Sequence, residues 1–366
     1  MGKVFSDYFS SSYREARAKF LNLAQAKDFP VLSFVHPDHK GALGEDLAID
    51  VVRLGPAHAS SAIVVTSGVH GAEGFCGSGC QLALLNDEEM LGRIVRAGLS
   101  VFLIHAVNPY GFSHLRRVNE NSIDLNRNFL DYNKPLPVNL GYAKAHPLVV
   151  PNEWPPTAKN AADVSAFIAE HGPRQFQNVV STGQSTHPDG LFFSGTAPSW
   201  SNLTLRAVLN EQLRNATTIA WMDIHTGLGP TGHGEKIYAG RDDSAELARA
   251  RACWGADVVS PFTGDSFSEA VRGSATTCIY QECPQASTMA IALEYGTLDF
   301  SAVMTAIRAD QWLTNNPQAT AEQHASIKQS LRDAFLVDTP EWRGMVYAQT
   351  RVAVLQAVLT LSAVKA

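Results

Sequence analysis

Positive charge is scarce in this chain, and so are cysteine and long uninterrupted apolar runs. Of 366 residues, 29 are Lys or Arg against 35 Asp or Glu, a formal charge of −6. Without a basic excess, nucleic acid is not an expected partner. The five cysteines (Cys76, Cys80, Cys253, Cys278, Cys283) are odd in number and thinly spread. They make no disulfide framework and lack the tight pairing of a Cys-rich zinc site, so small buried thiols in a reducing compartment, the cytoplasm, are expected. The first residues have no apolar core of a secretory signal. Met1-Gly2 with Ser6 meets a permissive myristoylation pattern, but no polybasic patch accompanies it, and it is discounted. The most apolar late stretch, Val346 to Val364, contains Gln349, Arg351 and Gln356, which suit a packing helix better than a membrane span. Internal repeats and low-complexity linkers are absent as well, and the Pro-rich patch Asn152 to Pro156 is too short to divide domains.

What the chain does have is 45% hydrophobic residues, ample for a large core, arranged as alternating helices and strands. Helical periodicity marks Tyr13 to Ala26, Gly74 to Leu85, Glu88 to Ala97, Ala161 to Ala169 and Asn202 to Asn215. Strand patterns occupy Asp46 to Leu54, Ala62 to Val65, Leu99 to Val107, Thr217 to Ile224 and Met289 to Leu293. Everything after Thr297 reads as three helical blocks, broken near Asn316-Pro317 and Thr339-Pro340. Such alternation predicts an α/β protein with a mostly parallel or mixed sheet and helices on both faces, here one domain over residues 1–366.

The chemistry gathers at strand ends. Ser67-Gly68 breaks the strand Ala62 to Val65, and His70 and Glu73 follow, three residues apart, just before a helix. An imidazole and a carboxylate so placed lie over the mouth of an open sheet, where they can share one zinc ion; a polar strand-to-helix turn gives the same pattern. His225 stands at the end of another strand, before the glycine-rich turn Thr226 to Gly229. Asp223 lies on the same side of that strand, able to orient an imidazole or to serve a neighbouring backbone group. His105 lies within an apolar run and reads as a buried, satisfied histidine, whereas His114, His187 and His233 fall in turns. Arg116, Arg117, Asn119, Asn126 and Arg127 crowd one loop that Ile123, Leu125 and Phe129 pin to the core. Guanidinium groups beside a metal suit an anionic substrate, because they bind a carboxylate through paired hydrogen bonds. Glu294 ends a further apolar strand, a costly place for a carboxylate unless it is paired or functional, such as a general base.

Together, His70-x-x-Glu73, Asn108-Pro109, Asp124-Leu125-Asn126-Arg127-Asn128-Phe129, Asp223-Ile224-His225-Thr226-Gly227 and Leu293-Glu294-Tyr295-Gly296 resemble the zinc carboxypeptidase superfamily. The likeness is strongest to its bacterial branches near succinylglutamate desuccinylase and aspartoacylase, and it covers roughly residues 60 to 300. The resemblance implies one domain, a three-layer sandwich around a mixed sheet of about eight strands, and one zinc per chain held by His70, Glu73 and His225. It implies Glu294 as general base, Arg117 or Arg116 for the oxyanion, and Asn126 and Arg127 for a substrate carboxylate. The spacing from the arginine pair to Asn126 departs from the desuccinylase pattern, which leaves the choice between Arg116 and Arg117 open. No position matches the capping tyrosine of the digestive enzymes, for which Tyr280 and Tyr295 are the candidates. The β-rich C-terminal domain of the desuccinylase branch has no counterpart in the helical tail.

The implied activity is hydrolysis of an amide or peptide bond beside a free carboxylate, as in a metallocarboxypeptidase. An N-acyl amino acid deacylase is the alternative, and an inactive metal-binding protein that recognises carboxylates is a third. A retained Glu294 speaks against the third, since binding alone needs no base. Partners are then a small-molecule or peptide substrate, with neither nucleic acid nor membrane. Residues 183 to 202, rich in turn formers, read as a surface excursion or as a lid bearing His187 and Asp189.

Overall fold

The structure is a computed structural model that describes residues 5–266 and 268–363; Met1 and Gly2 of the lipidation pattern lie outside them. Among the described residues, eight strands form one mixed sheet. They are β1 (Val31–Lys40), β2 (Asp46–Leu54), β3 (Ser61–Ser67), β4 (Ser100–His105), β5 (Thr218–Thr231), β6 (Gly234–Tyr238), β7 (Val258–Val259) and β8 (Ser287–Gly296). Their order is β1-β2-β4-β3-β5-β8-β6-β7. The central strands β4, β3, β5 and β8 run parallel, while β1, β2 and β6 pair antiparallel with their neighbours β2, β4 and β8. This is the architecture the alternating pattern predicts.

The helices, in chain order, are α1 (Tyr13–Ala26), α2 (Gly74–Leu85), α3 (Glu88–Ala97), α4 (Pro109–Ser113), α5 (Leu125–Asn128), α6 (Tyr142–Val149) and α7 (Ala158–His171), followed by α8 (Pro173–Ser181), α9 (Trp200–Leu213), α10 (Ser244–Trp254), α11 (Ile279–Glu282), α12 (Phe300–Asn315), α13 (Ala321–Phe335) and α14 (Pro340–Ala363). Their ends follow local rules. Ser12 caps α1 by accepting the Glu15 amide, and Asp87 does the same for α3, which Gly98 closes in a left-handed turn.

Side-chain alternation sends the central strands into two cores. Ile63 and Val65 of β3 join Val101 and Leu103 of β4 on the face covered by α1, α2, α3 and α14. Ala62, Val64, Phe102 and Ile104 face the opposite core, with Leu205, Val208 and Leu209 of α9. A third cluster joins α6, α8, α12 and α13 around Phe192, Phe335 and Val303. The late apolar stretch, whose Val364 lies outside the described residues, is otherwise part of α14, whose Trp342 donates its indole N–H to the Gly296 carbonyl at 2.9 Å and docks the helix on the end of β8. No helix among the described residues is long and apolar enough to cross a membrane. All five cysteines are free and buried.

The register sets the site. Thr66 of β3 lies beside Asp223 of β5, and His225 of β5 lies beside Glu294 of β8. The carboxyl ends of three adjacent parallel strands therefore open on one point, the usual ligand position of such a sheet.

Candidate metal centre

β3 stops at Ser67 because Gly68 turns the chain with φ +63°, where a Cβ would stand 3.1 Å from that of Ala106. The next turn carries His70 and, after a single 3-10 turn, Glu73 at the entrance to the wholly buried α2. The loop after β4 straps this turn down. Asn108 accepts the Gly111 amide and donates to the Arg117 carbonyl, which in turn accepts the Gly71 amide. Backbone bonds thus hold the Arg117 side chain over Glu73.

Ligand atoms of His70, Glu73 and His225 lie within 4.8 Å of one another, and these three side chains could hold a metal ion. Both imidazoles turn Nδ1 inward: His70 Nδ1 is 2.8 Å from Glu73 Oε1, and His225 Nδ1 is 2.8 Å from Oε2 of the same carboxylate. Both rest their outer nitrogen on a buried aspartate, His70 Nε2 on Asp124 at 3.1 Å and His225 Nε2 on Asp223 at 2.7 Å. A carboxylate behind each imidazole fixes the tautomer that leaves Nδ1 free to ligate. Asp223 is itself held by the Thr66 hydroxyl at 2.7 Å, and Trp221 donates to that hydroxyl.

Arg117 completes the cluster. Its Nη1 donates to Glu73 at 3.2 Å and its Nε to Asp124 at 3.1 Å, while Nη2 lies 2.8 Å from His70 Nε2. The last contact is a hydrogen bond only when Nε2 lacks its proton. The bond from His70 to Asp124 requires that proton, so the two contacts belong to alternative tautomers.

Charge explains the titration of these groups. Burial would raise the Glu73 carboxyl, but His70 and His225 outweigh it and hold it well below the usual carboxylate range. Burial likewise opposes the charge on Asp124, and Arg117, His70 and Arg127 overcome it. The His225 imidazole, disfavoured as a cation by burial, is raised well above its ordinary value by Asp223 and Glu73. Four buried carboxylates (Glu73, Asp124, Asp223, Glu294) face two arginines here, and that excess of negative charge is what favours the cation on His225. A divalent cation would meet the same demand. Glu294, 9% exposed, accepts the Leu228 amide at 3.2 Å. Burial first and the Glu73 charge second push its carboxyl up to about 8.

His70, Glu73, His225, Arg117, Asn126, Arg127 and Glu294 all line one cavity of about 550 Å³. Asn126 holds the Ala275 amide through Oδ1. Arg127 spends Nε and one Nη2 proton on the Ser181 carbonyl and one Nη1 proton on the Asn126 carbonyl, which leaves one N–H on each terminal nitrogen. Burial pushes its pKa down to about 10 against the pull of Asp124. Phe192 stacks 5.3 Å from both Arg117 and Arg127.

Other expected residues stand elsewhere. Arg116 is buried against Asp310 and Ser122, away from the cavity, which leaves Arg117 as the arginine at the site. Tyr295 is 0% exposed, with its hydroxyl on Thr350 in the core. As the strand neighbour of the cavity-lining Glu294, it must face the other side of the sheet. Tyr280 bonds Glu246 and the Arg241 amide. Neither tyrosine can cap a substrate from these positions. His187 bonds Thr186 and packs on Tyr142 and His146. Of residues 183 to 202, only Phe192 lines the cavity, so that segment supplies wall rather than lid. His105 is half satisfied, its Nε2 on Ser78 and its Nδ1 without a partner. Asp124, two residues before Asn126, is a further residue of the site, holding His70 and Arg117, and no local sequence pattern assigns it that place.

A family model described as "Protein of unknown function (DUF2817)" matches residues 9–349. No curated protein matches the chain by sequence. In fold it is similar to the carboxypeptidase A of Helicoverpa armigera, with 16% identity, a TM-score of 0.57, and coverage of 98% of this chain and 75% of that one. It is similar too to bovine thrombin-activatable fibrinolysis inhibitor, solved with a tick carboxypeptidase inhibitor, at 12% identity, a TM-score of 0.54, and coverage of 98% and 99%. At these identities the likeness is one of fold, and the fold is the carboxypeptidase one.

Proposed function

The chain belongs to the DUF2817 family, and from its carboxypeptidase fold and the donor set we propose that it is a zinc-dependent hydrolase of amide bonds next to a free carboxylate. The observation that carries the reading is the pair of inward-facing Nδ1 atoms on the two oxygens of Glu73, each imidazole backed by its own aspartate. This donor set fits a catalytic zinc, two nitrogens and a carboxylate with room for a further ligand. A zinc ion bound there supplies Lewis-acid polarisation of the scissile carbonyl and acidifies a water.

The chain's own groups do the rest. Glu294, as the carboxylate, takes a proton from the attacking water and hands it to the departing nitrogen, and the burial that raises its pKa makes that carboxylate a stronger base. Arg117 donates to the oxygen that gains charge as the carbonyl carbon becomes tetrahedral. The remaining N–H groups of Arg127 and the amide of Asn126 clasp the substrate carboxylate and fix the scissile bond over Glu294. Water's oxygen goes to the acyl carbon, the C–N bond breaks, and the amine leaves with the proton.

C-terminal peptides and N-acyl amino acids both present such a bond. Assaying both classes with the zinc-loaded protein, and again after chelation, tests the reading: chelator-sensitive release of the free amino acid is expected, and no turnover of either class contradicts it.

A further inference from the structure

The cavity has more wall than the clasped carboxylate needs. One part of the wall comes from the β6–β8 side and the loop before α11. The other is a group of apolar side chains from three helices: Val164 and Ile168 of α7, Phe176 of α8, and Val303, Met304 and Ile307 of α12. The α7–α8 hairpin gives little else to the core. No residue of α7 is buried, and in α8 only Val179 and Val180 are. Apart from the packing of Phe176 on the third cluster, its apolar stripe is therefore turned to the cavity.

The polar members of this wall are Gln177 and Ser181 of α8 and Ser301, Thr305 and Arg308 of α12; the Ser181 hydroxyl donates to the Gln177 carbonyl and its own carbonyl takes Arg127. Ser301 and Thr305 are exposed. Arg308 gives Nε to the Val149 carbonyl and Nη2 to the Leu148 carbonyl and to Asn160, and burial lowers its pKa. A peptide continuing from the scissile carbonyl would carry a backbone N–H and C=O at each residue into this wall, and would leave them unpaired against the six side chains named. A hydrocarbon chain would bury nothing polar there.

We infer that the substrate is an N-acyl amino acid whose acyl part is a bulky hydrocarbon, a medium- or long-chain fatty acyl group, lodged between the α7–α8 hairpin and α12. This rests on the amide-hydrolase reading above and decides between its two substrate classes. Hydrolysis gives the fatty carboxylate and the free amino acid.

The test uses the full chain with N-acetyl-, N-hexanoyl- and N-decanoyl-alanine and with acetyl-Ala-Ala-Ala. The zinc-loaded protein is assayed for turnover, and the chelator-treated protein is titrated calorimetrically with the same compounds. The expected result is a kcat/KM rising about fourfold per added methylene until the cavity is full, with the peptide below N-hexanoyl-alanine. Ile168→Asp on α7 and, independently, Met304→Asp on α12 should each flatten that dependence at an unchanged melting profile. Equal rates along the series, or a peptide cleaved best, overturns the inference and leaves the metal hydrolase standing. If nothing is hydrolysed but the chelated protein still binds N-decanoyl-alanine at least tenfold tighter than N-acetyl-alanine, and both variants lose that preference, the acyl site stands and the hydrolase reading falls. Binding without chain-length dependence overturns the acyl site.

Discussion

His225 Nε2 lies 2.7 Å from Oδ2 of Asp223, two residues back along the same strand. A strand puts i and i+2 on one face, so the imidazole and the group that orients it come from a single short segment. The opposite oxygen of Asp223 accepts from Thr66 on the neighbouring strand, and the carboxylate cannot swing away.

Asp223→Asn keeps the shape of this contact and removes its charge. Zinc affinity, measured by competition with a chromophoric chelator, should fall by about 10- to 100-fold. A loss below threefold would mean that Asp223 does not tune His225.

Glu294→Gln should leave the ligand set intact and cost roughly 10²–10⁴ in kcat. Zinc content by elemental analysis and turnover on the best substrate check it together. Wild-type turnover in a fully loaded variant removes Glu294 from the mechanism.

His105 offers a test of the fold by pH. Burial, partly opposed by Asp50, drags its pKa from the ordinary 6.5 to about 4. Above pH 6.5 the ring is neutral in both folded and unfolded chains and contributes nothing. As the pH falls below 6.5 the unfolded chain takes the proton first, so stability is lost down to about pH 4, by roughly 3 kcal/mol. Urea titrations of the wild type and His105→Gln at pH 7.5 and 5 should show a steeper loss in the wild type; equal losses would be the contrary result.

Trp342→Ala removes a side chain that is 2% exposed and its bond to the Gly296 carbonyl. The expected cost is about 3–5 kcal/mol, seen as a lower urea midpoint at unchanged slope. An unaffected midpoint would make α14 an appendage.

Much of this was legible in the chain. Tyr13–Ala26, Asp46–Leu54, Gly74–Leu85 and Glu88–Ala97 have the ends their periodicity and caps predict. The candidate ligand set was legible through the resemblance, whose motifs place His70 and Glu73 after the glycine that ends β3 and His225 at the apolar end of a second strand. β5 runs on to Thr231, beyond the reach of a local pattern, because it keeps pairing with β8 past the glycines. β1 carries no buried-strand pattern, because it is an edge strand, mostly exposed and interrupted by Pro37. Arg116 and Arg117 are adjacent and identical in type. What separates them is Asp310, 194 residues downstream, which captures the first. Tyr295 could have been ruled out in advance, since a strand that turns Glu294 to the cavity must turn its successor away. Val164 and Ile168 fall within the predicted helix Ala161 to Ala169, while no local pattern marks the helix that carries Phe176. Only tertiary packing shows that Val164 and Ile168 face a cavity instead of a core.

The central claim is that His70, Glu73 and His225 hold one divalent cation, and equilibrium dialysis against buffered zinc tests it most directly. One zinc per wild-type chain is expected, with loss of stoichiometric binding in His70→Gln and in His225→Gln. Full occupancy in either variant, or none in the wild type, would contradict the account.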